Sequence, residues 1–450
     1  MKLLINLIVT CMFSMPVMAQ KTILDNYIQE GLKSNLALSQ ENLALAKSLE
    51  ELKQAKGLFL PDISFNSSYT LADGGRNISI PIGDLLNPVY QSLNQLSDVA
   101  AFPTNLENSD EQLLPNRFHD TRIEIRQAIF NPDIHHNYKA QKSFLASQEA
   151  KRDVYKQELI KEIKTAYYQY LTTIEAIEIY NSTEKLLQEL LRVNQKLVEN
   201  DKATIDVVYR AEFELSDLNS QVAKANQLKA SAQSYFNFLL NNNLNDSILV
   251  DKTLTGKFTE EIAIESLQNE ALVNRDEILQ LKYALSGNEQ ILALNKNARL
   301  PKLSLGANLG YQGFDYQFNN NQNYYLLQFN LSFPIFKGFQ NKSKIAAGKI
   351  EIQRLQTQQQ ELQQNIKFQV IDAYQQVKAE KSAVKAKSAA LKSAKKSFDI
   401  IARKYLENQI TLLDLLDART KYTNAQLELV VAKYDLLQKE ASLERTIAIN

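Results

Sequence analysis

The chain has 450 residues, 44% hydrophobic and 23% charged, the balance of an ordered protein long enough for two or three ordinary domains. Lys and Arg number 51 and so do Asp and Glu, so the formal net charge is zero; nucleic acid, which demands a basic surplus, is excluded as the main partner. The one cysteine, Cys11, lies near the N-terminus, so no disulfide or thiol chemistry is expected in the chain beyond it.

Residues 1–19 read as a secretory signal peptide. Lys2 supplies the positive start, Leu3 to Phe13 the apolar stretch, and Val17-Met18-Ala19 a cleavage site that leaves Gln20 first. The apolar run is short for a bilayer anchor. Thr10 precedes Cys11 where a lipid-attachment site usually carries Gly, Ala or Ser. Beyond residue 20 no apolar run reaches the ~18 residues of a membrane-spanning helix, so any membrane span must be made of strands.

Four segments alternate with period two and predict strands over about 62–72, 118–131, 302–312 and 324–336. In the first, Ile63, Phe65, Tyr69 and Leu71 oppose Ser64, Asn66, Ser68 and Thr70; in the second, Ile123, Ile125 and Ile129 oppose Arg122, Glu124 and Arg126. Leu303 to Tyr311 and Tyr325 to Ile335 repeat the pattern. Each is about the ten residues of a tilted transmembrane strand, with aromatics near the ends as in an interfacial girdle. A soluble sandwich with one buried face is the alternative, but four strands are too few to cover both faces of a sheet or to close a barrel alone. Several protomers sharing one barrel would close it. Residues 72–117, with Gly74-Gly75 and four prolines, read as a long exposed loop with a short helix over Asp84–Ser97. The matching loop, Gly313 to Asn323, is short and Asn-rich, and long loops at one barrel end mark the extracellular side.

Between Pro132 and Gly256, and again after Gly348, there is no Pro or Gly. Apolar residues at spacings of three and four, such as Ile163, Tyr167, Tyr170, Ile174 and Ile177, or Leu416, Thr423, Leu427, Val430, Tyr434, Leu437 and Ala441, specify left-handed coiled coils. Helices are expected over about 138–197, 204–240, 341–405 and 411–447. The first would be about 90 Å long, beyond a globular domain and suited to crossing a periplasm.

The chain is also an internal duplication. Residues 28–61 align without a gap on 268–301 at an offset of 240, and Ile129-Phe130 on Ile335-Phe336 at 206, so the first half carries 34 extra residues between its strands. Asn200 and Asp206 align on Asn408 and Asp414 at an offset of 208. The organisation is a first repeat over 20–240, a linker over 241–258 and a second repeat over 259–450.

This plan resembles the outer membrane efflux protein family of TolC-like channel-tunnels. The resemblance rests on Ala298-Arg299-Leu300-Pro301-Lys302-Leu303 opening a strand, Phe333-Pro334-Ile335-Phe336-Lys337-Gly338 closing the next, and the stretch from Tyr405 to Ala418, with weaker counterparts in the first half. It covers nearly all of the chain after the signal. It implies a mainly α protein with a membrane β-barrel: a homotrimer with twelve strands, four per protomer, continuing into a long α-helical coiled-coil tunnel. It also implies an outer-membrane location with a periplasmic extension, a periplasmic adaptor and an inner-membrane pump as partners, and no catalysis. The rival reading is a secreted coiled-coil structural or adhesin protein without channel activity.

Asn200 and Asn408 stand where the long helical tracts turn back, and Asn tolerates the left-handed conformation that ends a helix. Thr204 and Thr411 follow as candidate caps. Asp414 and Asp417, three apart, share one helical face. Read locally, they complement the helix dipole; the family resemblance implies an acidic ring at the periplasmic constriction that attracts cations. It also places Tyr405, Asn408, Asn200 and Asp206 at the tip and gate. Ile410, where some relatives have a gating arginine, and Leu197, the counterpart of Tyr405, imply a more hydrophobic constriction. No cofactor is expected. His135-His136 with Asp133 is a weak metal candidate, read more simply as a strand-to-helix turn, and Arg122, Glu124 and Arg126 are candidates to line a barrel lumen.

Overall fold

A computed structural model describes residues 22–97, 99–251, 254, 263–407 and 409–448. The expected signal segment with Cys11, and Asn408 at the second turn, lie outside the described residues. In chain order the elements are α1 (Ile23–Ser34), α2 (Leu36–Gly57), β1 (Asp62–Thr70), β2 (Asn77–Ile80), α3 (Ile82–Ser97), β3 (Ser109–Gln112), β4 (Phe118–Phe130), α4 (Pro132–Glu199), α5 (Asp206–Leu240), α6 (Ile264–Asn274), α7 (Asp276–Asn297), β5 (Lys302–Phe314), β6 (Asn323–Ser332), α8 (Gln340–Leu406) and α9 (Leu412–Ile447). Among the described residues no helix is long and apolar enough to cross a membrane.

Several bounds have local causes. The 68-residue α4 opens with Pro132, whose missing N–H is unneeded in a first helical turn. β6 stops at Ser332, just before Pro334, which has no donor for a ladder. The paired short helices break at Asn35 in the first repeat and at Arg275 in the second, positions 240 apart. Asn35 accepts from the N–H of Leu38 at 2.9 Å, capping α2, and its amide donates to Leu239 O at 2.9 Å. The stretch over 72–117 is more ordered than a plain loop, since it holds β2 paired with β3 and the whole of α3.

The chain divides into two units. The first comprises Met1–Leu49, Ser143–Ser286 and Glu351–Asn450. It is helical and built on heptad contacts. Leu159, Ile163 and Leu171 of α4 lie fully buried with Phe236 and Leu240 of α5, joined by Val430, Tyr434 and Leu437 of α9. A second cluster joins Leu267 of α6, Ile366 and Val370 of α8, and Leu443 and Ile447 of α9. Truncating any such aliphatic side chain to Ala costs about 2–5 kcal/mol. Ions reinforce this core. Glu277 accepts from Arg275 at 2.6 Å and from Arg445 at 2.7 Å, and Arg445 also donates to Glu158 at 3.2 Å. Burial pushes the Glu277 carboxyl up, but the two guanidinium groups outweigh it and bring the pKa down to about 2.

The second unit comprises Glu50–Lys142 and Gly287–Ile350. Its main sheet is antiparallel in the order β1-β4-β5-β6. The register lines up like with like: Ile63 pairs Ile125, which pairs Ala307, which pairs Leu327; one step on, Phe65, Ile123, Leu309 and Tyr325 form the next row. The other face is polar, with Asn66, Arg122, Gly310 and Tyr324 in one row and Asp62, Arg126, Gly306 and Gln328 in another. Here Asp120 and Arg122 are ion-paired, as are Glu124 and Arg126, and Tyr324 donates to Asp120 at 3.1 Å. Gly310 is required opposite Arg122, because a Cβ there would collide with Thr121 O and the Arg122 backbone, whereas a Cβ on Gly306, opposite Arg126, would meet nothing closer than 3.9 Å.

Candidate functional site

The candidate site lies in the first unit, at the two turns where long helices fold back. After α4 the left-handed residue is Asp201, at φ 57°. Lys202 donates its N–H to Leu197 O at 2.8 Å and Asp201 to Val198 O at 3.0 Å, the paired bonds of a Schellman turn. The left-handed position expected at Asn200 thus falls one residue later, on an Asp that tolerates it. Asn200 instead donates its side-chain amide to Lys196 O at 2.6 Å, satisfying a carbonyl of the last helical turn.

The two returning helices start differently. Thr411 is the N-cap of α9 and forms a reciprocal capping box with Asp414: the Asp414 N–H donates to Thr411 Oγ1 at 3.3 Å, and Thr411 N donates to Asp414 Oδ2 at 3.1 Å. The Thr411 hydroxyl also donates to that carboxylate at 2.7 Å, and these bonds hold the Asp414 carboxyl below the usual carboxylate range. Thr204, the other candidate cap, makes no such bond. The residue ahead of α5 is Ile205, in helical conformation and without a side-chain cap. The Thr204 hydroxyl donates to the Asp206 carboxylate, which lowers that group, with Arg210 close by. The reason is spacing. A capping box needs Thr three residues before its acid, and Thr204 stands only two before Asp206; Ala203 holds the position equivalent to Thr411.

Asp417 lies one turn beyond Asp414 and is exposed like it; its carboxylate accepts from Lys421 at 2.8 Å. Asp206, Tyr209, Phe213, Leu413, Leu416 and Asp417 line a groove of about 640 Å³ between the starts of α5 and α9. Behind it, Leu187, Leu218, Leu412 and Leu416 form a buried cluster with Tyr405 at its edge.

Tyr405 is half-buried, and its hydroxyl donates to Asn194 Oδ1 of α4 at 2.6 Å. Burial raises the phenol above its ordinary value, and the bond to Asn194 pulls the other way. Asn194 is fully buried. On the opposite pair of helices Arg419 of α9, also buried, is ion-paired with Glu214 of α5. Further along, Thr183 bonds Thr423 at 3.2 Å, and Tyr434 donates to Glu175 at 2.6 Å. Polar links therefore join the two repeats within one protomer near the turns. Sequence reading passed over Asn194, Glu214 and Arg419. Asn194 and Arg419 had a usable signal: they are polar residues four to seven positions from buried leucines of the same heptad frame, where water is absent and a partner is needed.

The weak metal candidate is otherwise engaged. Asp133 is ion-paired with Lys302; His136 meets Gln290 through Nδ1 at 3.1 Å and Asn297 through Nε2 at 2.7 Å. Among the described residues no group of three or more His, Cys, Asp or Glu could hold a metal ion.

Two breaker-free helical hairpins, each preceded by a pair of strands, define a channel-tunnel fold. Residues 267–448 match the family model described as outer membrane efflux protein. Outer membrane protein TolC of Escherichia coli is 21% identical over 93% of this chain and 80% of its own length. Among solved structures, the Campylobacter jejuni CmeC outer membrane channel superposes with a TM-score of 0.78 at 16% identity, over 94% of this chain and 85% of that one. VceC of Vibrio cholerae does so at 0.75 and 16%, over 94% and 95%. The second half of the chain thus carries the outer membrane efflux family's pattern, and the whole chain is similar to TolC in sequence and to outer membrane channels in fold.

Proposed function

We propose that three copies of this chain form one passive duct through the outer membrane, serving a tripartite efflux or type I secretion system. A periplasmic adaptor and an inner-membrane pump would deliver the cargo, and the pump would supply the energy. One observation carries the reading: the four-stranded sheet has an exposed apolar face, a polar and charged face, and edges at β1 and β6 that pair with nothing among the described residues. An apolar sheet with two open edges is an aggregation hazard in water. Joining β1 of one protomer to β6 of the next gives twelve strands and no edge, with the apolar face toward lipid and Arg122, Glu124 and Arg126 toward the lumen. A secreted adhesin has no use for such a face.

In this duct Asp414 and Asp417 of three protomers would stack as two acidic rings at the narrow end. Asn200, Asp206, Tyr405 and Asn408 would sit around the tip that meets the adaptor. The test is fractionation, gel filtration in detergent and planar-bilayer recording. A trimer from the outer-membrane fraction with ohmic conductance is expected; a soluble or monomeric protein overturns the reading.

A further inference from the structure

The 72–117 excursion contains an amphipathic helix that turns part of its polar surface inward. On α3, Gly83, Asn87, Tyr90 and Asn94 recur every three or four residues and face the segment C-terminal to the helix. Asn87 clamps Leu106 through both backbone groups, N–H to Oδ1 and Nδ2 to O, each at 2.8 Å. Asn94 clamps Phe102 the same way, at 2.9 and 2.7 Å. Asn108 closes the strap on Asp84 at 2.9 Å, and Tyr90 stacks on Phe102 with centroids 5.4 Å apart. Gly83 is obligatory here, because a Cβ would collide with Leu106 O. Two amides each satisfying a donor and an acceptor make this a rigid module and not a floppy loop.

The clamps leave a different stripe outside. Ile82, Leu85, Val89, Leu93 and Leu96, spaced by three or four, run along one side of α3 with exposures from 38% at Ile82 to 84% at Leu96. A soluble surface does not expose such a row without a purpose. Two occupants fit an apolar stripe: lipid, or the same stripe on another copy. Charge decides between them. Helices that lie in a lipid interface carry Lys and Arg on the polar face; α3 has neither, and residues 72–117 hold six acidic residues against two arginines. An uncharged stripe is, by contrast, complementary to itself. Reach agrees: the 16 residues of α3 span about 24 Å, against a radius of about 12 Å for a twelve-stranded barrel with strands about 4.8 Å apart and tilted about 40°.

We infer that the α3 stripes of the three protomers pack on one another about the threefold axis, forming an apolar cap over the outer mouth of the duct. The inference rests on the trimeric duct reading. It makes α3 a narrowing at the outer mouth, which cargo must part in order to leave.

The experiment uses the mature chain, whose residues after the signal contain no cysteine. Leu85→Cys, Val89→Cys and Leu93→Cys are made singly, with Gln91→Cys on the polar side as the control. Each protein is purified in detergent, sized by gel filtration, oxidised with copper phenanthroline and run on a non-reducing gel. A trimer in which the stripe variants shift to a dimer band and Gln91→Cys does not is the expected result. A trimer in which no stripe variant cross-links, or in which Gln91→Cys cross-links as readily, overturns the cap while leaving the duct intact. A monomer on gel filtration overturns the duct reading itself, and the cap with it.

Discussion

The two helix turns occupy equivalent places in a duplicated chain yet are held by different chemistry. The first ends on a Schellman turn at Asp201 and begins its return without a side-chain cap. The second begins on the Thr411–Asp414 capping box. The asymmetry extends into the helices. At the offset of 208, Ala211 stands where the second repeat has Arg419, Ala402 where the first has Asn194, and Leu197 where the second has Tyr405. Three of the four residues in these two links therefore have apolar counterparts, and the fourth, Glu214, has Tyr422. A symmetric ancestor with apolar residues at all these sites would pack well but would not distinguish one helical hairpin from the other. Placing Asn194 opposite Tyr405 and Glu214 opposite Arg419 makes the hairpins non-interchangeable.

The largest effect should come from Arg419. It is buried and its charge is matched by the partly exposed Glu214, so Arg419→Ala removes a charged hydrogen bond and the packing of the buried side chain, at a cost of about 3 kcal/mol. Arg419→Ala with Glu214→Ala should recover part of this in a double-mutant cycle read by thermal unfolding in detergent. Additive single effects would show that the pair is not coupled and that the asymmetry at this point is incidental.

Asn194→Leu comes next. It removes the acceptor of the Tyr405 hydroxyl and leaves a half-buried group unsatisfied, worth about 1–3 kcal/mol. Adding Tyr405→Phe removes the orphaned hydroxyl and should restore much of the loss, since two apolar partners recreate the Leu197 and Ala402 chemistry of the other repeat. A double variant no better than the single one would break the argument.

The turns themselves give a smaller contrast. Thr411→Ala should cost about 1 kcal/mol and Thr204→Ala much less. The pH dependence has a definite sign. Asp414 is held below the usual carboxylate range, so its capping contribution is complete above the unfolded value and disappears only as pH falls through the lowered one. Thr411→Ala should move the Asp414 titration, followed by NMR of the labelled carboxyl, back up toward the ordinary range. Equal costs at Thr204 and Thr411 would erase the distinction between the turns.

Much of this was legible in the residues. Period two at Ile63 to Leu71 and heptads at Leu416 to Ala441 encode which face is buried, and the offsets of 240 and 208 encode the duplication, because both are properties of neighbouring positions. The capping difference was also written there: Thr-x-x-Asp at 411–414 against Thr-x-Asp at 204–206. The links were not. Asn194 and Tyr405 lie 211 positions apart, and Glu214 and Arg419 lie 205 apart, so nothing local announces that one will satisfy the other. The outward stripe of α3 was hidden for a related reason: which side of an amphipathic helix faces the protein depends on where Asn87 and Asn94 find their backbone partners.

The smallest and most functional contrast is at Asp417. Its counterpart in the first repeat is Tyr209, so of the two turns only the second carries an acid one turn into the helix. The Asp417 charge is partly answered by Lys421 at 2.8 Å, but both side chains are exposed, and an exposed pair in water is weak and screened by salt. If the acidic face lines the narrow end of the duct, Asp417→Asn should lower the cation preference and the block by multivalent cations in bilayer recordings. Lys421→Gln should raise both by unmasking the carboxylate, and Tyr209→Asp should add to them by giving the first repeat the charge it lacks. The three variants need different geometry to act. Tyr209 and Asp417 line the same groove between α5 and α9, so a response to both places that groove on the ion path. A response to Asp417→Asn and Lys421→Gln without one to Tyr209→Asp would confine the path to the second repeat. Unchanged selectivity in all three would return Asp414 to its capping role and Asp417 to its ion pair, and leave the tip without an acidic ring.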